Sequence, residues 1–316
     1  MRSKRDNTAG VDVVTFGESM ALFAADTSGD LARVAHFTRR LAGADSNVAI
    51  GLARLGLTVD WTSRVGHDAF GRFILESLAS EGIDCRHVVI DETRPTGLQI
   101  KSRTADGSDP ETEYFRHGSA ASALAPSDLP PERMAGARHL HCTGIPAAIS
   151  DSARALCHHA MDAMRAAGGT ISFDPNLRPS LWASREAMRE AINALAAKAD
   201  WVLPGIDEGE ILTGSREPEV IADFYLGAGS GEVVVKLGAE GAYWQSADNR
   251  CQVAGQTVDR IVDTVGAGDG FAVGFISARL EGLMPRAAVA RANAIAARVI
   301  QYPGDSDGLP RRDELD

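Results

Sequence analysis

The 316 residues of the chain are 44% hydrophobic and carry a formal net charge of −11. That many apolar side chains can bury a large core, so global disorder is excluded and one large α/β domain is expected. The negative charge would repel a phosphate backbone over most of the surface, which argues against nucleic acids and anionic membranes as partners. An anionic substrate therefore needs a local positive site.

The cysteine pattern and the first residues bear on the cellular location. Cys85, Cys142, Cys157 and Cys251 are far apart and form neither a C-x-x-C pair nor a dense disulfide framework, which predicts reduced thiols in a cytoplasmic protein. Residues 1–10 are basic and polar, lack an apolar h-region and are expected to form a loose tail. No apolar run approaches the roughly 20 residues that a membrane-spanning helix needs.

Short β-branched runs alternate with longer helical patterns along the chain. The predicted strands are VDVVTFG (11–17), VDWTSRVG (59–66), ARHLHCTG (137–144), GTISFDPN (169–176), ADWVLPG (199–205) and EVVVKLG (232–238). The predicted helices are SNVAIGLARLG (46–56), AFGRFILESLASEG (69–82), DSARALCHHAMDAMRAAG (151–168) and REAMREAINALAAKA (185–199). This alternation is typical of βαβ units and predicts a mainly parallel sheet across residues 11–316, with ligands beyond the carboxyl ends of its strands.

Two stretches, about residues 19–40 and 95–120, break this alternation. Both are extended and polar-alternating, and neither is followed by a helix. We expect them to form a small antiparallel sheet that closes over a ligand as a lid and excludes water. Two unrelated surface hairpins are the alternative.

The most informative segment is IVDTVGAGDGFAVGFISARLEG, residues 261–282. Gly266, Ala267 and Gly268 form a predicted turn at a helix start, where free backbone N–H groups and the helix dipole can bind a phosphate. Asp269 follows in the first helical turn, where accepting a proton from an attacking hydroxyl would explain a carboxylate beside an anion. The alternative is a pair of ordinary turn glycines and a dipole-compensating aspartate. The Walker A pattern is absent, so a nucleotide site here is not a P-loop.

The segment DTVGAGD, residues 263–269, resembles the C-terminal signature of the ribokinase-like (PfkB) carbohydrate kinase family. LAGADSNVAIGLARLG, residues 41–56, is similar to the N-terminal signature of that family. The resemblance implies a three-layer α/β sandwich with a mainly parallel central sheet and a small β lid. It also implies a kinase that uses ATP and Mg²⁺, with Asp269 as the catalytic base and amides of Gly266, Ala267 and Gly268 at the phosphoryl group. Activation by a monovalent cation is left open.

The resemblance also assigns residues to the sugar and to ATP. The sugar-binding residues it implies are Gly43, Ala44, Asp45, Ser46 and Asn47, with an ordinary N-cap as the alternative for Asp45. The segments KLGAEGAYW (236–244) and FDPNLRPSLW (173–182) supply the cofactor candidates Lys236, Leu237, Gly238, Ala239, Glu240, Gly241, Asp174, Asn176 and Arg178. Arg178 also suits an acidic substrate. Asn293 matches a position near the adenine. Without the resemblance, residues 236–244 are a hairpin, residues 173–182 are a loop whose Asp174 caps a turn, and Asn293 is a solvated helix residue.

WVLPGIDEGEILTG, residues 201–214, resembles the Asn-x-x-Glu region that organises Mg²⁺ in the family through water. Glu208 is kept, but Gly205 occupies the asparagine position.

ETEYFRHGSAASALAP, residues 111–126, resembles the Tyr-Tyr-Arg-x-x-Ser-Ala motif of 2-keto-3-deoxygluconate kinases. The substrate-binding residues added by this resemblance are Tyr114, Phe115, Arg116, Asp305 in the tail motif, and Gln99 in place of a tyrosine. It implies phosphorylation of a sugar acid at a terminal hydroxyl, foremost 2-keto-3-deoxygluconate to its 6-phosphate, by a homo-oligomer. The alternatives are a ribokinase-type or fructokinase-type enzyme for a neutral sugar, and a non-catalytic sensor of sugar or nucleotide. Without the resemblance, Tyr114 and Phe115 read as core aromatics and Arg116 as a solvated charge.

Overall fold

The computed structural model of the chain describes residues 10–104 and 110–315. Except for Gly10, the predicted tail of residues 1–10 lies outside the described residues, as do residues 105–109 of the second predicted lid segment.

Strands and helices alternate as the sequence predicts. The strands are β1 Val13–Phe16, β2 Met20–Ala25, β3 Phe37–Ala42, β4 Val59–Thr62, β5 Arg64–Gly66, β6 Val89–Asp91, β7 Leu98–Lys101, β8 Thr112–Phe115, β9 His139–Thr143, β10 Thr170–Asp174, β11 Trp201–Val202, β12 Glu232–Lys236, β13 Ala242–Ser246 and β14 Arg250–Val253. The helices are α1 Ala44–Arg54, α2 Ala69–Ser80, α3 Ile145–Ile149, α4 Asp151–Ala167, α5 Arg185–Ala196, α6 Ile206–Thr213, α7 Pro218–Gly227, α8 Ala267–Leu280 and α9 Pro285–Val299.

The larger sheet has the strand order β14-β13-β12-β11-β10-β9-β1-β4. The strands from β12 to β4 are parallel, and β13 and β14 add an antiparallel edge, so the predicted mainly parallel sheet is confirmed. The predicted strand 59–66 is wrong in one respect, because it divides at Ser63. There the hydroxyl donates to the carbonyl of Gly17 at 2.6 Å, and β5 leaves to pair with β6 in a separate sheet.

Helices cover both faces of the larger sheet, which is why its inner strands are buried along their length. On one face, Phe16 and Phe173 pack with side chains of α4 and α5. On the other face, Trp61 and Val234 pack with side chains of α1, α8 and α9. This is the three-layer sandwich that the resemblance implies, and every parallel strand points its carboxyl end to the same edge.

A second sheet, called here the four-stranded sheet, has the order β3-β2-β7-β8. The pairs β2/β3 and β7/β8 are antiparallel, but the central pair β2/β7 is parallel, so the prediction of a wholly antiparallel sheet is wrong there. The reason is topological: β2 and β7 are joined by a long crossover through the larger sheet rather than by a hairpin. The two predicted segments therefore form two hairpins that hydrogen bond into one sheet.

Candidate active site

A cavity of about 330 Å³ lies between the four-stranded sheet and the carboxyl ends of the parallel strands. It is lined by the predicted site residues Gly43, Ala44, Asn47, Gln99, Tyr114, Arg116, Asp174, Asn176, Arg178, Glu208, Lys236, Gly266, Gly268, Asp269 and Asp305. It is also lined by residues that were not predicted, namely Glu18, Met20, Ala42, Lys101, Thr112, Ile145 and Val265. The turn that opens α8 and the loop that opens α1 thus share one cavity, as transfer between two bound molecules requires.

Asp269 stands in the first turn of α8 and is buried. Its Oδ2 accepts a hydrogen bond from Nδ2 of Asn47 at 2.8 Å, and its Oδ1 accepts one from Nδ2 of Asn176 at 3.4 Å. Burial raises the pKa of Asp269, the Asn47 hydrogen bond opposes that rise, and the nearby Asp305 adds to it. A carboxylate that is held by two neutral amides and has a raised pKa is suited to accept a proton.

The turn before Asp269 is built for close approach of backbone. Gly266 has a φ of 87°, and a Cβ on it would lie 2.4 Å from the carbonyl oxygen of Asp305. The N–H of Ala267 donates to the carbonyl of Thr264 at 3.3 Å. The Ala267 amide thus already has an acceptor within the turn, and its contribution to an anion stays a prediction. The first-turn N–H groups of Gly268 and Asp269 are those that the helix start leaves for a ligand.

Lys236 ends β12 beside this turn, with its Nζ 3.6 Å from the position of a Cβ on Gly268. Its Nζ donates to Oδ2 of Asp174 at 2.6 Å, and both side chains are largely buried. Burial raises the pKa of Asp174 in spite of this partner. Asn176 follows with a φ of 39°, the one positive φ outside glycine in the described residues. This conformation turns its amide towards Asp269.

Arg178 differs from the other bases of the cavity. Its Nη1 donates to the backbone carbonyls of Asn176 at 3.4 Å and Leu177 at 2.9 Å, and within the described residues it forms no ion pair. Lys101, Arg116 and Lys236 are each paired with a carboxylate. Arg178 is thus the basic side chain of this cavity whose positive charge, within the described residues, is left unpaired for an anionic ligand.

Glu208 uses both of its carboxylate oxygens on backbone. Oε2 accepts from the N–H of Gly205 at 2.7 Å, and Oε1 accepts from the N–H of Leu177 at 2.8 Å. Within residues 10–104 and 110–315, no group of three His, Cys, Asp or Glu side chains could hold a metal ion. The donor set therefore fits a metal that arrives with its own phosphate and water ligands, approached by Glu208 from one side.

Two residues of the predicted sugar-binding loop do not reach the cavity. Asp45 is 1% exposed, and its carboxyl group accepts from the N–H of Thr143 at 3.2 Å and its hydroxyl at 3.1 Å. Ser46 is buried, and its hydroxyl donates to the carbonyl of Gly43 at 2.9 Å. The prediction that both line the pocket is wrong, because α1 begins at Ala44 and turns them into the protein. The alternative of an N-cap at Asp45 is wrong as well, since the N-cap is Gly43.

Phe115 also lies off the cavity, with 53% of its surface exposed. Successive side chains of a strand point to opposite faces, so Tyr114 lines the cavity and Phe115 faces outward. The predicted contact of Phe115 with the substrate is wrong for this reason.

The remaining predicted ATP residues lie beside the cavity and do not line it. Leu237, Gly238, Ala239, Glu240 and Gly241 form the hairpin turn between β12 and β13. Asn293 of α9 is 6% exposed, which excludes the alternative of a solvated helix residue. Its Nδ2 donates to the carbonyls of Val253 and Ala254, both at 3.1 Å, and so ties α9 to the chain just after β14.

The four-stranded sheet contributes charges that sequence reasoning missed. The Arg116 guanidinium is paired with Glu18, with Nη2 2.5 Å from Oε2, and the Ser119 hydroxyl donates to the same carboxylate at 2.5 Å. Arg116 is 6% exposed, so its reading as a solvated charge is wrong. Arg116 nevertheless lines the cavity, and its contact with the acid end of the substrate stays a prediction. Glu18 carried no local signal, whereas Lys101 lies two residues after Gln99 and therefore on the same face of β7.

The fold and the cavity are those of a carbohydrate kinase. Residues 11–312 match the model of the pfkB family of carbohydrate kinases, and the chain belongs to this family. Its membership supports a sugar kinase enzyme over the alternative of a non-catalytic sensor. Of the described residues, no helix is long and apolar enough to span a membrane.

Similar proteins carry more specific names. The 2-dehydro-3-deoxygluconokinase of Bacillus subtilis (strain 168) is 52% identical over 306 residues, which cover 96% of this chain and 94% of that protein. The crystal structure of the PfkB protein from Polaromonas sp. JS666 has a TM-score of 0.90 at 53% identity, covering 97% of this chain and 99% of that one. An E. coli ribokinase-type protein in complex with ATP and Mg²⁺ has a TM-score of 0.88 at 27% identity, covering 96% of this chain and 97% of that one.

Proposed function

We propose that the protein transfers the γ-phosphoryl group of ATP to the terminal hydroxyl of 2-dehydro-3-deoxygluconate, giving the 6-phosphate. This compound is the 2-keto-3-deoxygluconate of the sequence motif. The observation that carries the proposal is one cavity that joins Asp269, held by the Asn47 amide at 2.8 Å, to Arg178, whose guanidinium has no carboxylate partner in the described chain. A sugar acid needs both a base at its hydroxyl end and a cation at its acid end.

The sugar binds along Gly43, Ala44 and Asn47, which line one side of the cavity. Its carboxylate pairs with Arg178, and Tyr114 closes over it from the four-stranded sheet. Gln99 and Asp305 offer hydrogen-bonding groups for the remaining hydroxyls and the keto group. The sheet thereby acts as the lid that keeps water from the phosphoryl group.

Asp269 takes the proton of the terminal hydroxyl as the hydroxyl oxygen attacks the γ-phosphorus, whose bond to the β–γ bridging oxygen breaks and releases ADP. The N–H groups of Gly268 and Asp269 and the Lys236 ammonium lie at the turn that receives the phosphoryl oxygens, where developing charge is stabilised. The nucleotide extends along the turn 238–241 towards residues 253–254, against which Gly241 packs, and Asn293, which donates to their carbonyls.

Mg²⁺ supplies neutralisation of the β- and γ-phosphate oxygens in such a transfer. Glu208 would hold this ion through water, because it lines the cavity while both of its carboxylate oxygens stay bound to backbone N–H groups. Gly205 leaves this side of the site without the amide that the family pattern has at its position.

We also propose that the protein works in the cytoplasm as a homo-oligomer. The four cysteines are free, with Cys142 and Cys157 buried, which suits a reducing compartment. The outward faces of Phe115 and Ile90, 53% and 49% exposed, are apolar surface that a second copy would cover.

The test is an ATP-coupled assay with 2-dehydro-3-deoxygluconate, its C4 epimer, gluconate, fructose and ribose as acceptors. We expect the highest kcat/KM for a ketodeoxy acid. A higher value for fructose or ribose would overturn the proposal in favour of a neutral-sugar kinase.

Arg178→Met sharpens the assay. Hydrogen bonds to charged groups contribute about 1.5–3 kcal/mol, so we expect the KM for the sugar acid to rise roughly 10-fold to 150-fold while turnover of a neutral sugar is unchanged. Arg216→Met, at an exposed arginine paired with Asp207 and Glu210, is the matched control. A rise confined to the KM for ATP would assign Arg178 to the nucleotide instead.

A further inference from the structure

A second group of charges, separate from the base and its amides, joins the four-stranded sheet to the catalytic turn. Nζ of Lys101 donates to Oδ2 of Asp263 at 2.6 Å and to Oδ1 of Asp305 at 2.8 Å. The side chains of the three residues are only 3%, 9% and 5% exposed. Buried charges are retained in such a place only when each is paired and hydrogen-bonded.

The three residues come from different parts of the fold. Lys101 is the last residue of β7 in the four-stranded sheet. Asp263 lies just before the turn that opens α8, and Asp305 lies in the turn after α9. The lysine therefore bridges the sheet to two loops at the edge of the larger sheet.

Both carboxylate residues touch the turn that receives the phosphoryl group. Oδ1 of Asp263 accepts from the N–H of Val265 at 3.0 Å, which fixes the backbone immediately before Gly266. The backbone carbonyl of Asp305 packs against Gly266, where a Cβ would lie 2.4 Å from its oxygen. A shift of either loop would therefore move the turn itself.

Lys101 also stands between two cavities. It lines the site cavity of about 330 Å³ and a neighbouring cleft of about 800 Å³ that continues under the same face of the four-stranded sheet. Lys101 therefore lies where the sugar side of the site and that cleft meet. Asp305 faces Asp269 closely enough to raise the pKa of Asp269, and the Lys101 ammonium offsets the charge of Asp305.

We propose that Lys101 is a positioning residue that fastens the four-stranded sheet to the catalytic turn and so places Asp305 at the sugar and the Gly268 and Asp269 amides at the phosphoryl group. The inference rests on the proposed use of the sheet as a lid. It assigns Lys101 no contact with the reacting atoms. It predicts that, without the bridge, the four-stranded sheet no longer closes over the site and less sugar phosphate forms per ATP consumed, a ratio called coupling here. The nucleotide surface around residues 238–241 should be unaffected.

The experiment compares Lys101→Met and Lys101→Arg with the wild-type enzyme. We expect Lys101→Met to lower kcat/KM for the acceptor about 100-fold, because displacing reacting groups by about 1 Å has that effect. The KM for ATP should change little, and less sugar phosphate should form per ATP consumed, since water enters the open site. Lys101→Arg keeps the charge and should restore much of the activity and coupling.

Lys198→Met is the matched control, because Lys198, which follows α5, forms a partly exposed ion pair with Asp162 of α4 outside the cavity lining. Lys101→Met leaves two buried carboxylates unpaired, so the double variant Lys101→Met with Asp263→Asn is measured as well. The asparagine keeps an acceptor for the Val265 N–H and removes one of the two charges. Loss of activity and coupling in this folded double variant supports the proposal.

Hydrogen exchange without substrate makes the test independent of the acceptor. Faster exchange of the β7 and β8 amides in Lys101→Met, with α8 unchanged after its first turn, supports a bridge. Wild-type exchange, kcat/KM and coupling in the variant would overturn it, as would a uniform loss of folded protein with unchanged KM and coupling. If wild-type enzyme prefers a neutral sugar, the proposed substrate fails, and the same comparison is made with that sugar.

Discussion

The two walls of the cavity hold their charges differently. On the wall formed by α8 and the strand ends, the Asp269 carboxylate is held by the neutral amides of Asn47 and Asn176, and it forms no ion pair within the described chain. On the wall formed by the four-stranded sheet, the Arg116 charge is balanced by Glu18 and the Lys101 charge by Asp263 and Asp305.

This difference assigns the reaction to the α8 wall and closure over the ligand to the wall formed by the four-stranded sheet. The unpaired Asp269 carboxylate is available to the reaction, and Lys236, although paired with Asp174, lies beside the phosphoryl turn. The charges of the sheet wall instead hold one part of the fold against another. Changes on the α8 wall should therefore act on kcat. Changes on the sheet wall should act first on stability, acceptor affinity and coupling.

Asp269→Asn should have the largest effect. General-base catalysis contributes about 100-fold to 10,000-fold, so we expect kcat to fall roughly 1,000-fold while ATP affinity, measured by equilibrium binding, stays within about 2-fold. Asp151→Asn is the matched control, since Asp151 is also a first-turn acid but is 96% exposed in its side chain. A kcat near that of the wild type would remove Asp269 from its role.

The pH dependence of the wild type tests the same residue. The base acts only when deprotonated, and burial raises the pKa of Asp269 above the ordinary value of 3.8. Activity should therefore be lost on acidification at a higher pH than an exposed aspartate would require, and kcat/KM should be constant above that range. If kcat/KM falls on acidification only near pH 3.8, the burial of Asp269 has no effect on the reaction.

Glu18→Gln tests the sheet wall. The Glu18 side chain is fully buried and that of Arg116 is 7% exposed, so the variant leaves a buried guanidinium without its counter-charge. We expect the free energy of unfolding, from urea titration, to fall by about 3 kcal/mol, with part of the loss recovered when Arg116→Met is added.

The exposed pair of Glu219 and Arg250, 57% and 63% exposed, provides the control. Glu219→Gln should change stability by no more than about 0.5 kcal/mol. If Glu18→Gln instead leaves stability unchanged and abolishes kcat, the assignment of the sheet wall to closure is wrong.

The same contrast explains what the sequence could predict. The anion turn and its base lie within seven consecutive residues, 263–269, so local spacing and the family resemblance were enough to place Gly266, Gly268 and Asp269 in the cavity. The sheet wall depends on pairing between β2 and β7, which are more than 70 residues apart. No local pattern marks Glu18 as the partner of Arg116. Lys101 could have been found from its alternation with Gln99, but its partners Asp263 and Asp305 could not.

Asp45 belongs to neither wall. Its predicted place in the sugar pocket is wrong because α1 begins at Ala44, so the helix turns the Asp45 side chain into the protein. Burial raises the pKa of Asp45 from 3.8 to about 8, with Thr143 hydrogen bonds opposing the rise. The folded state therefore keeps a proton between those values that the unfolded state releases. This group's contribution to stability is complete below pH 3.8 and is lost as the pH rises towards 8.

Asp45→Asn should have the smallest effect on activity, because Asp45 does not line the cavity, and it should remove this loss of stability. The amide matches the protonated carboxyl in shape and can accept from the Thr143 N–H, so stability near pH 3.8 should change little. The difference between variant and wild type should then grow in favour of the variant by up to about 1.4 kcal/mol per pH unit towards pH 8. Urea unfolding across that range measures the slope, with the exposed Asp151→Asn as the control. A slope equal to that of the control would mean that Asp45 is ionised in the folded protein, and that a negative charge is buried behind residues 43–47.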